Sequence, residues 1–171
     1  SGLEKAPEEE AWPAIQKWGQ VFAAPARTWD DLARLKAATS LPILLKGVLH
    51  PEDAKRAADC GMDGVIVSNH GGRQVDGAIA AIDALPGVVD AVGDRMAVLF
   101  DSGIRRGADV LKAVALGADA VLLGRPYVWG LAVDGQAGVA EVARRLAADV
   151  DITLALTGCD RLDGVNRSML E

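Results

Sequence analysis

A histidine and an arginine stand three residues apart on a glycine-rich turn, in the stretch Ser-Asn-His-Gly-Gly-Arg-Gln at residues 68–74. Removing a proton from an α-hydroxy acid requires a base that titrates near neutrality and a fixed cation that holds the carboxylate. His70 has the chemistry of that base, and Arg73 can bind a carboxylate through two parallel hydrogen bonds. Taken alone, His70 would be an ordinary loop histidine. Its pairing with Arg73 across Gly71 and Gly72 favours a proton-abstracting site for a carboxylate substrate.

Three more apolar runs end in charged or glycine-rich residues. Lys46 closes the run at 41–47, where a charge is costly unless it meets an anion or an electron-rich cofactor, although a lysine can also extend its ammonium to the surface. The segments Asp101-Ser102-Gly103-Ile104-Arg105 and Gly124-Arg125-Pro126 each lead towards a helix, so backbone amides and arginines can converge on an anion. Ordinary glycine turns with solvated arginines are the alternative. Two such loops on adjacent strands match the phosphate site formed after strands 7 and 8 of many (β/α)8 barrels.

Four strand–helix units position these groups. We predict strands at residues 41–47, 64–68, 97–101 and 120–123, and helices from Pro51 to Gly61, at 78–92, at 108–116 and at about 137–156. A further helix is predicted from Thr28, as its N-cap, to about Ala38. Such units in series predict an α/β fold with a parallel sheet covered by helices. An open doubly wound sheet shares this pattern, but chemical groups at every strand exit favour the barrel, of which four units are half.

The composition indicates a globular protein and argues against several classes of function. Of 171 residues, 50% are hydrophobic and 25% charged, the net charge is −6, and the scattered arginines form no concentrated basic face for nucleic acid. No apolar run approaches the roughly 20 residues that span a bilayer, and no signal-peptide pattern occurs, so we expect a cytoplasmic protein without membrane contact. Cys60 and Cys159 lack the spacing of a metal site and are expected as free thiols, and no metal site is predicted.

Residues 1–27 differ in composition from the rest of the chain. They contain an acidic run and three prolines that are expected to interrupt any long helix: Glu8-Glu9-Glu10, Pro7, Pro13 and Pro25. We predict a connecting segment with one short helix. Three aromatic side chains in it can pack on a neighbour: Trp12, Trp18 and Phe22.

With these residues in view, the chain resembles the FMN-dependent 2-hydroxy acid oxidase and dehydrogenase family, which includes glycolate oxidase, lactate oxidase, lactate monooxygenase and mandelate dehydrogenase. The resemblance runs from about Thr28 to Cys159. Four motifs carry it in order: Leu-Pro-Ile-Leu-Leu-Lys-Gly at 41–47, Ser-Asn-His-Gly-Gly-Arg-Gln at 68–74, Asp-Ser-Gly-Ile-Arg-Arg-Gly at 101–107 and Leu-Gly-Arg-Pro at 123–126. Within the family, the run from His70 to Ala78 resembles the lactate monooxygenases more than the other members.

The resemblance implies a role for each of these residues. Lys46 would lie against the N1 and O2 edge of the flavin, His70 would take the substrate proton, and Arg73 would hold the substrate carboxylate. Ser68 would lie close to the flavin. The remaining cofactor-binding residues would hold the ribityl and phosphate end of FMN: Asp101, Ser102, Gly103, Arg105, Gly124 and Arg125.

The resemblance also implies that residues 28–171 are the second half of a (β/α)8 barrel, strands five to eight, and that residues 1–27 are part of the long loop after strand four. The tyrosines that contact substrate and the aspartate that orients the base would belong to the absent first half. Because open strand edges need a cover, we expect a complementary amino-terminal half or a second copy as partner, and a homo-oligomer.

Three functions follow from this interpretation. The first is oxidation of an L-2-hydroxy acid as part of the complete barrel. The second is a non-catalytic half barrel that self-associates and at most binds phosphate. The third is a phosphate-binding barrel enzyme without flavin, whose site would not need His70 and Arg73 together.

Overall fold

The computed structural model describes residues 8–22 and 27–170, which divide into two compact units on either side of Ala38 and Thr39. The first unit contains helices α1 (Glu8–Phe22) and α2 (Asp31–Ala37). A helix lies within residues 1–27 as predicted, but it is not short. It has 15 residues, and Pro13 lies inside it, so the expected interruption at this proline does not occur.

The predicted N-cap at Thr28 is wrong. Helix α2 begins at Asp31, and Asp30 occupies the N-cap position without a capping side-chain hydrogen bond. The Thr28 amide instead donates to the Asp31 carboxylate at 2.7 Å, and the Thr28 carbonyl accepts from the Asp31 amide at 3.2 Å. A turn therefore precedes the helix, and it places Thr28 too early in the chain to cap the first helical amides.

The second unit is built on a four-stranded parallel sheet of β1 (Leu44–Val48), β2 (Gly64–Val67), β3 (Ala97–Phe100) and β4 (Ala120–Val121). The spatial order is β1-β2-β3-β4, the same as the order along the chain. A doubly wound sheet reverses its order at a switch point, so the unreversed order favours a segment of a barrel.

Helices α3 (Pro51–Asp59), α4 (Ala81–Val92) and α5 (Gly107–Ala115) cover one face of this sheet. Side chains alternate between the two faces of a strand, and those under the helices are almost completely buried: Val65, Val67, Val98 and Phe100, none more than 1% exposed. Ile66 and Leu99 point to the opposite face and are only half-buried. One face thus holds the core, and the other is partly open among the described residues.

The starts of two further helices differ from the sequence prediction by more than one residue. Helix α4 begins at Ala81 and not at 78, because Ala80 is extended and the Ile79 carbonyl accepts a hydrogen bond from the Asn69 side chain at 3.3 Å. Helix α6 (Arg125–Thr157) includes a first arm that the sequence did not predict, and it kinks where Asp134 and Gly135 leave helical geometry.

The two arms of α6 approach each other closely at two glycines. A Cβ atom on Gly138 would collide with the Gly130 carbonyl group, and both residues are buried. Two short 3-10 helices, Leu162–Gly164 and Arg167–Leu170, follow α6. Among the described helices, none combines the length and apolarity needed to cross a membrane.

Candidate functional site

The carboxyl ends of all four strands contribute to one cleft of about 330 Å³. Nine of the ten residues that the sequence singled out line it: Lys46, His70, Arg73, Asp101, Ser102, Gly103, Arg105, Gly124 and Arg125. The tenth, Ser68, is 1% exposed, and its hydroxyl bonds directly to Lys46, which lines the cleft. The structure therefore brings together residues from four separate motifs.

An ion pair between Lys46 and Asp101 crosses this cleft. The Lys46 Nζ lies 2.6 Å from Asp101 Oδ2 and also donates to Ser68 Oγ at 3.0 Å. Register explains the meeting, because Lys46, Ile66 and Leu99 lie in one row across the sheet. Ser68 and Asp101 follow two residues after that row and so emerge on the face of Lys46.

Asp101 is held in its charged form. Partial burial alone would raise the pKa of Asp101, but hydrogen bonds from Lys46, Ser68 and Ser102, together with the Lys46 charge, outweigh burial and lower the pKa below its ordinary value. A carboxylate beside a fixed ammonium at the end of a buried sheet gives the cleft paired charges that can hold polar groups of a ligand.

The turn after β2 is held by two serine hydroxyls. Ser68 Oγ accepts from the His70 amide at 3.0 Å, and Ser102 Oγ accepts from the Asn69 and Gly71 amides at 3.3 and 3.0 Å. The Ser102 hydroxyl also donates to Asp101 at 2.8 Å. Three successive amides therefore have side-chain acceptors, which holds the backbone in the positive-φ conformation of His70 (56°) and Gly71 (68°).

The His70 imidazole lies against the backbone of Gly47. A Cβ atom on Gly47 would stand 2.9 Å from His70 Cε1 and 3.6 Å from Nδ1, and Gly47 has a φ of 99° that favours glycine. The sequence prediction did not assign Gly47 to the site. A glycine directly after the lysine at the end of a strand was the available signal. Among the described residues, the imidazole has no hydrogen-bond partner.

The three arginines that line the cleft differ in the contacts of their guanidinium groups. Arg125 Nη2 donates to the Gly71 carbonyl at 2.9 Å, and the Arg105 guanidinium lies 5.9 Å from the ring centre of Trp129. Arg73 is exposed, and within the part of the chain that the structure describes its guanidinium makes no hydrogen bond or ion pair. Arg73 is therefore available to bind an anion. The sequence analysis did not assign Trp129 to the site, because it did not predict the first arm of α6, on which Trp129 lies.

At the start of α5, fewer backbone amides are free to bind an anion than the sequence predicts. The Arg105 and Arg106 amides both donate to the Asp109 carboxylate at 2.9 Å, and the Gly107 amide donates to Asp149 at 2.6 Å. These amides are therefore occupied. The Gly103 and Ile104 amides, which line the cleft just before them, have no partner among the described residues and can still bind an anion.

Neither cysteine takes part in the cleft. Both are free thiols, and Cys159 Sγ contacts Met169 Sδ at 3.7 Å. Across residues 8–22 and 27–170 no group of three or more histidine, cysteine, aspartate or glutamate side chains could hold a metal ion.

A family model described as FMN-dependent dehydrogenase matches residues 3–171. The chain is 53% identical over 146 residues to an L-lactate oxidase of Nostoc sp.. The matched region is 85% of this chain and 40% of that protein. The chain is 47% identical over 146 residues to 2-hydroxyacid oxidase 1 of Mus musculus, again covering 85% of this chain and 40% of the relative.

A solved structure of mandelate oxidase with benzoyl-formic acid superimposes with a TM-score of 0.79 at 50% identity, over 82% of this chain and 42% of that one. The chain thus spans about two fifths of the length of the proteins that it matches.

Proposed function

Because this chain belongs to the FMN-dependent dehydrogenase family, we propose that it is the carboxyl-terminal half of a barrel enzyme that oxidises an L-2-hydroxy acid to the 2-oxo acid. The observation that carries this proposal is the placement of His70 and Arg73. Neither side chain has a partner among the described residues, and both face the cleft that contains the Lys46–Asp101 ion pair.

The residues of the cleft fit FMN. Lys46 is a cation held at the sheet end, where it can stabilise negative charge on the flavin ring, while Asp101 can accept from ribityl hydroxyls. Arg105 and the unpaired amides of Gly103 and Ile104 suit the phosphate, with Gly124 and Arg125 on the adjoining loop. When bound, FMN supplies the acceptor for the hydride equivalent that leaves the substrate.

Arg73 and His70 have separate roles towards the substrate. The Arg73 guanidinium binds the substrate carboxylate and so fixes the 2-hydroxyl group near the imidazole. His70 accepts the hydroxyl proton at Nε2, because Nδ1 lies 3.6 Å from the position that a Cβ atom on Gly47 would occupy, whereas Nε2 is farther from it. A carboxylate that orients the imidazolium must come from outside the described residues, since none of them bonds to this ring.

The proposed complementary half explains the open parts of the second unit. Within the described residues, β1 and β4 each pair on one edge only, and the sheet face of Ile66 and Leu99 is partly open. Unpaired parallel edges and a half-open apolar face are costly in water. A segment corresponding to the other three fifths of the relatives would cover them, and we propose that the completed barrel is a homo-oligomer.

Anaerobic flavin reduction tests the proposal. The chain is co-expressed with the amino-terminal segment that completes the barrel, and bleaching of bound FMN is followed after mixing with L-lactate or L-mandelate. We expect His70→Gln to slow bleaching by at least ~100-fold. His50→Gln is the matched control, because His50 is the only other histidine and caps α3, where its side chain accepts from the Glu52 amide at 3.2 Å.

The outcomes distinguish the proposed oxidation from the non-catalytic half barrel. No bleaching of wild-type FMN by any L-2-hydroxy acid would contradict the proposed reaction. A protein that binds inorganic phosphate and self-associates but never retains FMN would support the non-catalytic half barrel instead.

A further inference from the structure

The loop that carries Arg73 has few internal contacts. It runs from His70 to Ala80 between β2 and α4, and most of its residues are exposed. Between Gly72 and Ile79, the only hydrogen bond among described residues that does not involve Asn69 runs from the Ala78 amide to the Val75 carbonyl at 3.4 Å. The loop therefore depends on Asn69 for its conformation.

The Asn69 side chain contacts the loop near both of its ends. Its Oδ1 accepts from the Gly72 amide at 3.1 Å, and its Nδ2 donates to the Ile79 carbonyl at 3.3 Å. The Gly72 amide also donates to the main-chain carbonyl of Asn69 at 3.0 Å. A carboxamide offers a donor and an acceptor on one short planar group. An alanine would lose both side-chain contacts and keep only the main-chain bond from the Gly72 amide. A serine hydroxyl can still accept from the nearby Gly72 amide but is too short for Ile79.

Asn69 is itself fixed in place. Its backbone amide donates to Ser102 Oγ at 3.3 Å, and it follows Ser68, which is 1% exposed. The side chain is therefore an anchor on the rigid end of β2. Arg73 follows Gly72 directly, so the Asn69 contact restrains the backbone from which the arginine extends.

We propose that Asn69 is a positioning residue that holds the loop from Gly71 to Ile79 in the form in which Arg73 meets the substrate carboxylate. This inference rests on the proposed function of Arg73. Without the two side-chain contacts, the main-chain bond at Gly72 remains but the far end of the loop is released at Ile79. The loop then samples other conformations, and binding of a carboxylate must order it. The effect falls on carboxylate binding. FMN binding and proton removal by His70 depend on other contacts.

Kinetics of the FMN-loaded full-length protein test the inference, with oxalate as the binding probe. For Asn69→Ala we expect KM for the 2-hydroxy acid and Kd for oxalate to rise about 10-fold, while kcat and Kd for FMN change less than about 3-fold. Asn69→Ser keeps the Gly72 contact, so its KM lies between those of wild type and alanine.

Asn166→Ala is the matched control. The Asn166 side chain also bridges two backbone groups, as it donates to the Gly164 carbonyl at 3.2 Å and accepts from the Ser168 amide at 3.1 Å. It lies in the tail, so its loss leaves KM unchanged. A merely structural role for Asn69 would reduce the amount of active protein without moving KM or oxalate affinity.

The outcomes separate this inference from the proposed function. An active wild type with unchanged KM and oxalate affinity in Asn69→Ala overturns the positioning role alone. An equal rise of KM in Asn166→Ala overturns it as well. Wild-type FMN that no 2-hydroxy acid reduces would overturn the proposed function and this inference with it.

Discussion

Lys46 and Asp101 form a 2.6 Å ion pair although their strands, β1 and β3, are not neighbours in the sheet. The pair spans the end of β2, where Ser68 Oγ accepts from Lys46 Nζ at 3.0 Å. Because β2 ends in the His70 turn, this arrangement connects the charges of the cleft to the backbone that carries the base.

The Asp101 carboxylate makes stability depend on acid pH. Its folded-state pKa is lowered from the ordinary value of about 3.9, so its contribution is complete above that value and is lost as pH falls through the lower, folded-state pKa. We expect the urea midpoint of wild type to drop more steeply below pH 4 than that of Asp101→Asn. Asp94→Asn, at an exposed position, should follow wild type, and parallel profiles for wild type and Asp101→Asn would disprove the linkage.

Ser102 combines an unfavourable backbone conformation with three hydrogen bonds. Its φ is 83°, which costs a residue other than glycine roughly 1–2 kcal/mol. Ser102→Ala keeps that cost and loses the hydroxyl, whereas Ser102→Gly loses the hydroxyl and relieves the backbone. Urea unfolding should therefore show the glycine variant to be more stable than the alanine variant by about 1 kcal/mol. Equal stability of the two would mean that the φ of Ser102 is not strained.

Gly47 provides the space for the His70 ring. Gly47→Ala places a methyl group 2.9 Å from His70 Cε1 at a φ of 99°, so we expect flavin reduction to slow by roughly 10–100-fold. Gly61→Ala is the control, because Gly61 has a φ of 76° and no atom within 4 Å of its Cβ position. Both variants should lose about 1 kcal/mol of stability, but only Gly47→Ala should lose rate. A similar loss of rate in both would assign the effect to backbone strain.

Arg73 is expected to act through the shape of its guanidinium as well as its charge. Arg73→Lys keeps the charge but cannot make two parallel hydrogen bonds, so KM for the 2-hydroxy acid should rise about 10-fold with a smaller change in kcat. Arg95→Lys, which alters an exposed ion pair with Asp59, should leave both constants unchanged. Wild-type KM in the lysine variant would show that charge alone is sufficient.

Local patterns were enough to locate most elements of the second unit. The apolar runs at Gly64 and Ala97 begin β2 and β3 at the predicted residues, and Pro51 begins α3 as expected. The first arm of α6 was missed because glycine is a poor helix former. That arm depends on the close backbone contact between Gly130 and Gly138, which no local pattern contains.

The residues of the candidate site were predictable for a related reason. Each motif is a short stretch at the end of an apolar run, and parallel strands bring their carboxyl ends to one edge of the sheet. Asn69 lies in the motif at residues 68–74, but nothing in its local sequence indicates that its side chain contacts Ile79 as well as Gly72. Its role depends on the path that the loop takes back to α4.

The sequence by itself determined which chemical groups this protein places at its strand ends, because residue type and the alternation of strands and helices are local properties of the chain. Only the tertiary structure decided which of those groups bond to each other. Ser102 accepts from the Gly71 amide 31 residues away, and Arg125 donates to the Gly71 carbonyl 54 residues away. Such bonds depend on strand register and on the positive φ of His70 and Ser102, and these are set by packing of the whole sheet.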